Sequence, residues 1–325
     1  MNKYLLLYIF VFVFTLLSTT FLESKLLPRL SKYAKQPIYA DGPSWHQTKQ
    51  GTPTMGGLGF LISISLSLVI ASLFLARADN TQQLHSLLLI CGYSILNAFV
   101  GIIDDITKLK RKENAGLSPS QKIAFQLVIA IAFIVVRNLL FGVDTSVSLG
   151  DFNLELGILY YPLCIIQLLG TVNCANLTDG IDGLASSVAF TIGISLLFLS
   201  IYSFNDVALV AIALIAGMLA FLFFNINPAK IFMGDTGSLF LGAIIASSLY
   251  SVGNPFLIIP LGGVYIIEGL SVILQVVYFK LTKRRIFKMA PLHHHLEKCG
   301  YSETKICMIA MLFTLLLSAT ALFLI

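Results

Sequence analysis

Charge is what this sequence has least of. Asp, Glu, Lys and Arg make up only 11% of its 325 residues, against about 25% in a water-soluble domain. That deficit excludes a soluble globular protein. With 57% hydrophobic residues and a mean hydropathy of +0.88, most of the chain belongs in lipid. Cysteine is also scarce. Cys91, Cys164, Cys174, Cys299 and Cys307 are odd in number, scattered and mostly set in apolar runs, so they read as core thiols, with no disulfide framework and no metal site. There is no low-complexity tail and no internal repeat. The net charge of +5 is a topology signal and gives no reason to expect nucleic acid as a partner.

What is there is a series of apolar stretches. A spanning helix needs roughly 20 mostly apolar residues, and ten stretches qualify: 4–21, 56–75, 84–103, 124–141, 157–174, 184–201, 207–224, 238–252, 256–279 and 306–325. The expectation is an all-α polytopic membrane protein, one integral membrane domain over 1–325. The first stretch could be a signal peptide, but only Lys3 precedes it and LSTTFLES is a poor cleavage site, so it reads as a helix. The stretch 238–252 is short and has the least distinct boundaries. Of the 21 Lys and Arg residues, 18 fall in loops that follow odd-numbered helices. The positive-inside rule then puts those loops in the cytoplasm and both termini outside. The segment 143–155 becomes an outer loop with hairpin character.

The polar clusters gather on the inner side. NCANLTDGIDG (173–183) carries Asp179 and Asp182 three residues apart, with Asn173, Asn176 and Thr178 around them. A polar turn between two helices is the plain alternative, since Asn, Asp and Gly favour turns. The stretch 35–57 holds Asp41, His46 and Lys49 before a Gly/Pro-rich re-entry; Lys49 suits a phosphate, and the glycines and Pro53 alone could shape a helix entry. Asp104 and Asp105 close the third stretch, followed by Lys108 and, further on, Lys122. Carboxylates at a helix C-terminus oppose the dipole by a few tenths of a kcal/mol to about 1 kcal/mol each. Lysines or a divalent cation would offset this. Adjacent helical residues point about 100° apart, so one of the pair can face a substrate while the other braces the site. In 225–238, which includes Asn225, Phe232 and the run Gly234-Asp235-Thr236-Gly237, Asp235 or Ser238 could cap a helix, or the turn could form a backbone nest for phosphate. MAPLHHHLE (289–297) places His293, His294 and His295 in succession. Three consecutive histidines cannot converge on one zinc, but they suit phosphate binding and proton transfer. Glu268 is an intramembrane acid that could pair with a polar neighbour.

Hard oxygen ligands without paired Cys or His suit Mg2+. Carboxylates, lysines and histidines at a membrane surface suit phosphoryl transfer. A channel or carrier would place its polar groups at mid-membrane depth instead.

The motifs GTPTMGG (51–57), DDITK (104–108), NLTDGIDGLA (176–185), FMGDTGS (232–238) and MAPLHHHLE (289–297) resemble, in order and over nearly the whole chain, those of the phospho-N-acetylmuramoyl-pentapeptide transferases. These form a branch of the polyprenyl-phosphate N-acetylhexosamine-1-phosphate transferases. The resemblance implies a homodimeric, ten-helix enzyme of the bacterial cytoplasmic (inner) membrane, with its site on the cytoplasmic face. It implies transfer of phospho-N-acetylmuramoyl-pentapeptide from UDP-N-acetylmuramoyl-pentapeptide to undecaprenyl phosphate, with UMP released and the first lipid-linked peptidoglycan intermediate formed. It also implies Mg2+ on Asp235, Asp104 as the base toward the lipid phosphate with Asp105 beside it, and His294 among the catalytic groups. Asn173, Asn176, Asp179, Asp182, Asn225 and Phe232 would meet the nucleotide. Lys49, Lys108, Lys122, His293 and His295 would surround the diphosphate. The carboxylate motifs are common to the superfamily, so a transferase using UDP-N-acetylglucosamine is the alternative, and a membrane transporter is the alternative of another class.

Overall fold

The computed structural model describes residues 4–35, 49–111, 115–149, 152–202 and 207–321; Asp41 and His46 lie outside them. The chain runs α1 (Leu5–Tyr33), α2 (Gly57–Arg77), α3 (Thr81–Arg111), α4 (Pro119–Phe141), β1 (Ser146–Leu149), β2 (Phe152–Glu155), α5 (Tyr160–Thr178), α6 (Leu184–Tyr202), α7 (Ala208–Asn225), α8 (Gly234–Ser251), α9 (Ile258–Leu261), α10 (Gly263–Thr282), α11 (Leu292–Lys298) and α12 (Glu303–Thr320). Among the described residues, eight helices are long and apolar enough to cross a membrane: α1, α2, α3, α4, α5 with its leading turn, α7, α10 and α12. The apolar part of α6 is shorter. This is an all-α polytopic membrane protein. The segment expected as an outer loop forms an antiparallel hairpin, with Ser146 opposite Glu155 and Leu149 opposite Phe152.

The least distinct apolar stretch is the centre of the molecule. Every residue of α8 from Asp235 to Tyr250 is buried. Its helix neighbours take the place of lipid around it, so its side chains need not be uniformly apolar, and Ser238, Ser247 and Ser248 satisfy themselves by bonding back to carbonyls one turn earlier. α3 packs along α8 more extensively than any other helix pair, and α5 covers another side. Gly101 makes that approach possible. A Cβ there would overlap the backbone of Asp235 and Thr236, the close helix contact that small residues permit in membranes. Apolar side chains of α1, α4, α10 and α12 face outward, as lipid-facing surfaces do.

Several boundaries differ from those expected. α1 runs on to Tyr33 instead of ending at 21. α3 continues to Arg111 instead of ending at 103. Lys108, Lys110 and Arg111 occupy its last turn, where positive charge complements the dipole, so the helix projects past its apolar length. Asp104 and Asp105 therefore sit inside a helix, not at its end, and the expected dipole penalty does not apply to them. α8 begins at Gly234, four residues earlier than expected. The stretch 256–279 is interrupted. A 3-10 turn (Pro255–Leu257) and the single-turn α9 precede α10, because Pro260 donates no amide hydrogen and Gly262 and Gly263 follow it.

Candidate active site

The loops at one end of the bundle are tied to one another. Gly56 and Gly57 amides donate to the carbonyls of Phe232 and Met233, and Phe232 N–H donates to Pro53 O. The Gly/Pro-rich re-entry is thus stitched to the start of α8.

Asp105 caps that start. The residue before Gly234, Met233, supplies no capping side chain. Asp105 reaches over from α3 instead. One of its oxygens accepts from the Asp235 amide (3.1 Å). The other accepts from the Thr236 amide (2.9 Å) and the Thr236 hydroxyl (2.7 Å). Gly234 has φ +70°, and a Cβ on it would crowd Asp105 and Thr54, so glycine is required here. The nest read from Gly234-Asp235-Thr236-Gly237 is real, but the anion in it is Asp105 and not a phosphate. Neither Asp235 nor Ser238 is the cap.

Asp104, on the adjacent face of α3, is fully buried. Its carboxylate meets Lys108 Nζ at 2.7 Å and Lys122 Nζ at 3.1 Å and accepts the Leu117 amide at 2.7 Å. The same two lysines reach Asp235, at 2.9 and 2.5 Å. Lys122 stands in the first turn of α4, which is fixed by a capping box between Ser118 and Gln121. The result is a cage in which two ammonium groups bridge two carboxylates. One oxygen each from Asp104, Asp105 and Asp235 lie within 4.8 Å of one another. All three are hard carboxylate donors, and cationic groups already bind two of them, so the cluster fits a divalent cation of the Mg2+ type.

Beside the cage is a cavity of about 130 Å³ lined by Lys49, Asp179, Gly180, Ile181, Asp182, Asn225 and Phe232. Asp182 does not face it freely. Its carboxylate accepts from Lys49 Nζ (2.7 Å), Asn227 Nδ2 (3.0 Å) and the Ala229 amide (2.9 Å), which anchors the 226–233 loop. Asn225 is braced as well, accepting from Ser186 and donating to Ile231 O. Asp179 lies nearest the cage. Desolvation pushes its carboxyl well above the usual range; the charges of Asp235, Asp105 and Asp182 add to the rise, and Lys108 opposes it. Asn176 donates to Ser238, joining α5 to α8.

The histidines part company. His293 is buried, with Nδ1 3.1 Å from Glu268 Oε2, and its amide donates to the same carboxylate. Glu268 is therefore the paired intramembrane acid. Nε2 of His293 is buried without a hydrogen-bond partner among the described residues, and it sits against Gly180, where a Cβ would overlap it. His294 bonds Glu297 at 2.6 Å. His295 turns away, accepting from the Lys288 amide at 3.1 Å and packing on Phe287. Asn173 also looks elsewhere: it donates to Gln126 of α4 and to Leu169 O.

Glu303 was not anticipated. Its Oε2 accepts from Lys49 Nζ and from the Asp182 amide, both at 2.7 Å, linking α12 to the cavity. In sequence it follows Ser302, the N-cap of α12, and reads as an ordinary first-turn acid.

Residues 86–253 match the family model described as glycosyl transferase family 4. The chain is 43% identical over 286 residues to a phospho-N-acetylmuramoyl-pentapeptide-transferase of Clostridium botulinum, covering 87% of this chain and 85% of that protein. It is 40% identical over 294 residues to the enzyme so named in Caldicellulosiruptor bescii, covering 90% and 89%. It is 40% identical over 319 residues to that of Shouchella clausii, covering 95% of each chain. The chain belongs to the phospho-N-acetylmuramoyl-pentapeptide-transferase family. This family placement makes it a phosphotransferase enzyme of a bacterial multi-pass membrane protein class.

Proposed function

We propose that this chain transfers phospho-N-acetylmuramoyl-pentapeptide from its UDP carrier to undecaprenyl phosphate in the bacterial cytoplasmic membrane, with both termini outside and the site on the cytoplasmic face. The observation that supports the chemistry most directly is the cage of Asp104, Asp105, Asp235, Lys108 and Lys122 beside a polar cavity. Phosphoryl transfer needs little covalent help from protein. It needs the diphosphate and the attacking phosphate held in line, with their charge offset.

The roles follow from what each side chain already does. Lys108 and Lys122 are shared between two carboxylates, so an arriving diphosphate can take over an ammonium without leaving either acid bare. Asp235, with Asp104 beside it, would hold Mg2+, which supplies charge neutralisation at the diphosphate when bound. Asp104 also stands where it can receive the proton of the lipid phosphate. Asp105 keeps the start of α8, and hence Asp235, in place. Lys49, Asp179, Asn225 and Phe232 line the cavity for the uridine end, and Asp182 and Glu303 hold Lys49 from two sides. His293, oriented by Glu268 through Nδ1–H, directs Nε2 toward the 179–180 turn; the neutral ring offers an acceptor there, and the imidazolium a donor to a phosphate oxygen.

UMP release by the purified protein with undecaprenyl phosphate and Mg2+ tests this reading. Release is expected with UDP-N-acetylmuramoyl-pentapeptide, absent with UDP-N-acetylglucosamine and lost on adding EDTA. Release with the glucosamine donor alone would move the chain to another branch of the superfamily, and no release from folded protein would refute the enzyme reading.

A further inference from the structure

The opposite end of the bundle holds a second polar cavity, of about 560 Å³, lined by Thr81, His85 and Ser86 of α3, Arg137 and Leu140 of α4, and Ser251 of α8, among others. It lies at the far ends of α3 and α8 from the carboxylate cage. Asp235 and Ser251 are 16 residues apart on one helix, about 24 Å at the helical rise. It therefore takes no part in the chemistry described above.

Arg137 is the reason to ask what the cavity binds. It is only 9% exposed. Its Nη1 donates to Gly142 O at 3.1 Å, and its guanidinium lies 5.6 Å from the Tyr250 ring centroid. No carboxylate forms an ion pair with it among the described residues. A guanidinium carries five N–H donors, and a buried charge is normally paired. The hydroxyl of Ser251 is likewise buried without a partner among the described residues. Both line the same cavity, which also receives the first turn of the 31-residue helix α3; Asn80 Oδ1 already accepts the Gln83 amide there, and the positive end of the helix dipole favours an anion. Leu140, 42% exposed, gives the cavity an apolar edge at the bundle surface.

We propose that this cavity binds a phosphate-type anion, and specifically the headgroup of an anionic phospholipid. Arg137 holds the phosphate through its planar fork. His85 and the hydroxyls of Thr81, Ser86 and Ser251 bond the remaining oxygens. The acyl chains leave past Leu140 into the bilayer. Asp144 is near enough to feel the charge of Arg137 but forms no ion pair with it, and the lipid phosphate supplies the close counter-charge that no ion pair among the described residues provides.

The test uses the full chain in nanodiscs of phosphatidylcholine doped with phosphatidylglycerol, with lipid retention read by native mass spectrometry. Wild type is expected to retain phosphatidylglycerol over phosphatidylcholine. Arg137→Gln is expected to weaken that retention by about tenfold or more, the scale of a hydrogen bond to a charged group. His85→Glu leaves Arg137 in place and sets a negative charge in the cavity; it is expected to expel the lipid to a similar extent, and it carries the test where the arginine variant fails to fold. Neither residue belongs to the carboxylate cage, so UMP release in detergent serves as the folding control. Inorganic phosphate that displaces the lipid and is itself retained would support the anion site and assign it to free phosphate. Wild type without preference for phosphatidylglycerol or phosphate, or folded variants that retain lipid as wild type does, would overturn the proposal.

Discussion

Replacing Asp105 by Asn separates bracing from chemistry. The two oxygens of Asp105 accept three hydrogen bonds from the first turn of α8, and the residue is 1% exposed. Asparagine keeps one acceptor and presents an amide NH2 where the other oxygen was. Whichever way the amide is turned, one backbone N–H of α8 faces a donor. An unsatisfied buried donor costs about 1–3 kcal/mol. Loss of the anion at the helix N-terminus costs about 0.3–1 kcal/mol, rising to ~2 in buried geometries. The expected destabilisation is therefore about 3 kcal/mol, located where Asp235 is held. At about 2–4 °C per kcal/mol, the scale for a mid-sized domain, the thermal midpoint should fall by roughly 6–12 °C. Turnover should fall with it, because Asp235 loses its anchor. The assay is paired: thermal unfolding in detergent and UMP release on the same preparation. An Asp105→Asn protein with wild-type melting and no turnover would refute the bracing argument and make Asp105 a reacting group.

Asp235→Asn should show the reverse balance, nearly abolishing UMP release with a smaller fall in thermal midpoint, because Asp104 still binds both Lys108 and Lys122; turnover within about tenfold of wild type would sink its metal role. Glu303→Gln removes the charge that holds Lys49 while keeping one oxygen that can accept the Asp182 amide, so KM for the UDP substrate should rise by about tenfold with kcat little changed, and a kcat loss at constant KM would contradict a positioning role. Asp179 titrates above the usual carboxylate range. A carboxyl raised on folding costs nothing below its unfolded value and its full penalty above its folded value, so the empty protein should lose stability as pH climbs through that window. Asp179→Asn should flatten this slope in melting curves taken across pH, and an unchanged slope would place the titration elsewhere.

The sequence made the membrane class, the positions of the helices and most of the cage residues legible, because apolar length and clustered charge are one-dimensional signals. Helical spacing assigns Asp104 and Asp105 different partners, and they have them: Asp104 meets the two lysines and Asp105 the start of α8. What could not be read were partners distant in sequence. Asp105 caps α8 across 130 positions, so local pattern pointed to Asp235, Ser238 or a phosphate instead. Glu303 meets Lys49 across 254 positions and looked like a first-turn acid. α8 was the hardest helix to see because protein, not lipid, surrounds it, which removes the demand for a continuous apolar run. The break before α10 was missed because Pro260 and two glycines sit inside a stretch whose average hydropathy still suits a span.

The cage also bears on whether the sugar phosphate rests on the enzyme before it reaches the lipid. A covalent route needs an acid free to attack phosphorus. Asp105 is engaged at both oxygens by the start of α8, and attack through either one would release a helix end. Asp104 is fully buried, paired to two lysines and bonded to the Leu117 amide, and Gly116 packs so closely over its carboxylate that a Cβ there would overlap it. An ion-paired carboxylate is a poor nucleophile but a serviceable proton acceptor once a diphosphate has drawn one lysine away. The lipid phosphate, by contrast, is already a competent nucleophile when oriented. Direct attack is therefore expected. Incubating the enzyme with donor labelled in its β-phosphate, without lipid, should leave no acid-stable label on protein beyond that of an Asp104→Asn control. Stoichiometric label on Asp104 or Asp105, released as lipid product when undecaprenyl phosphate is added, would refute the argument and establish a two-step route.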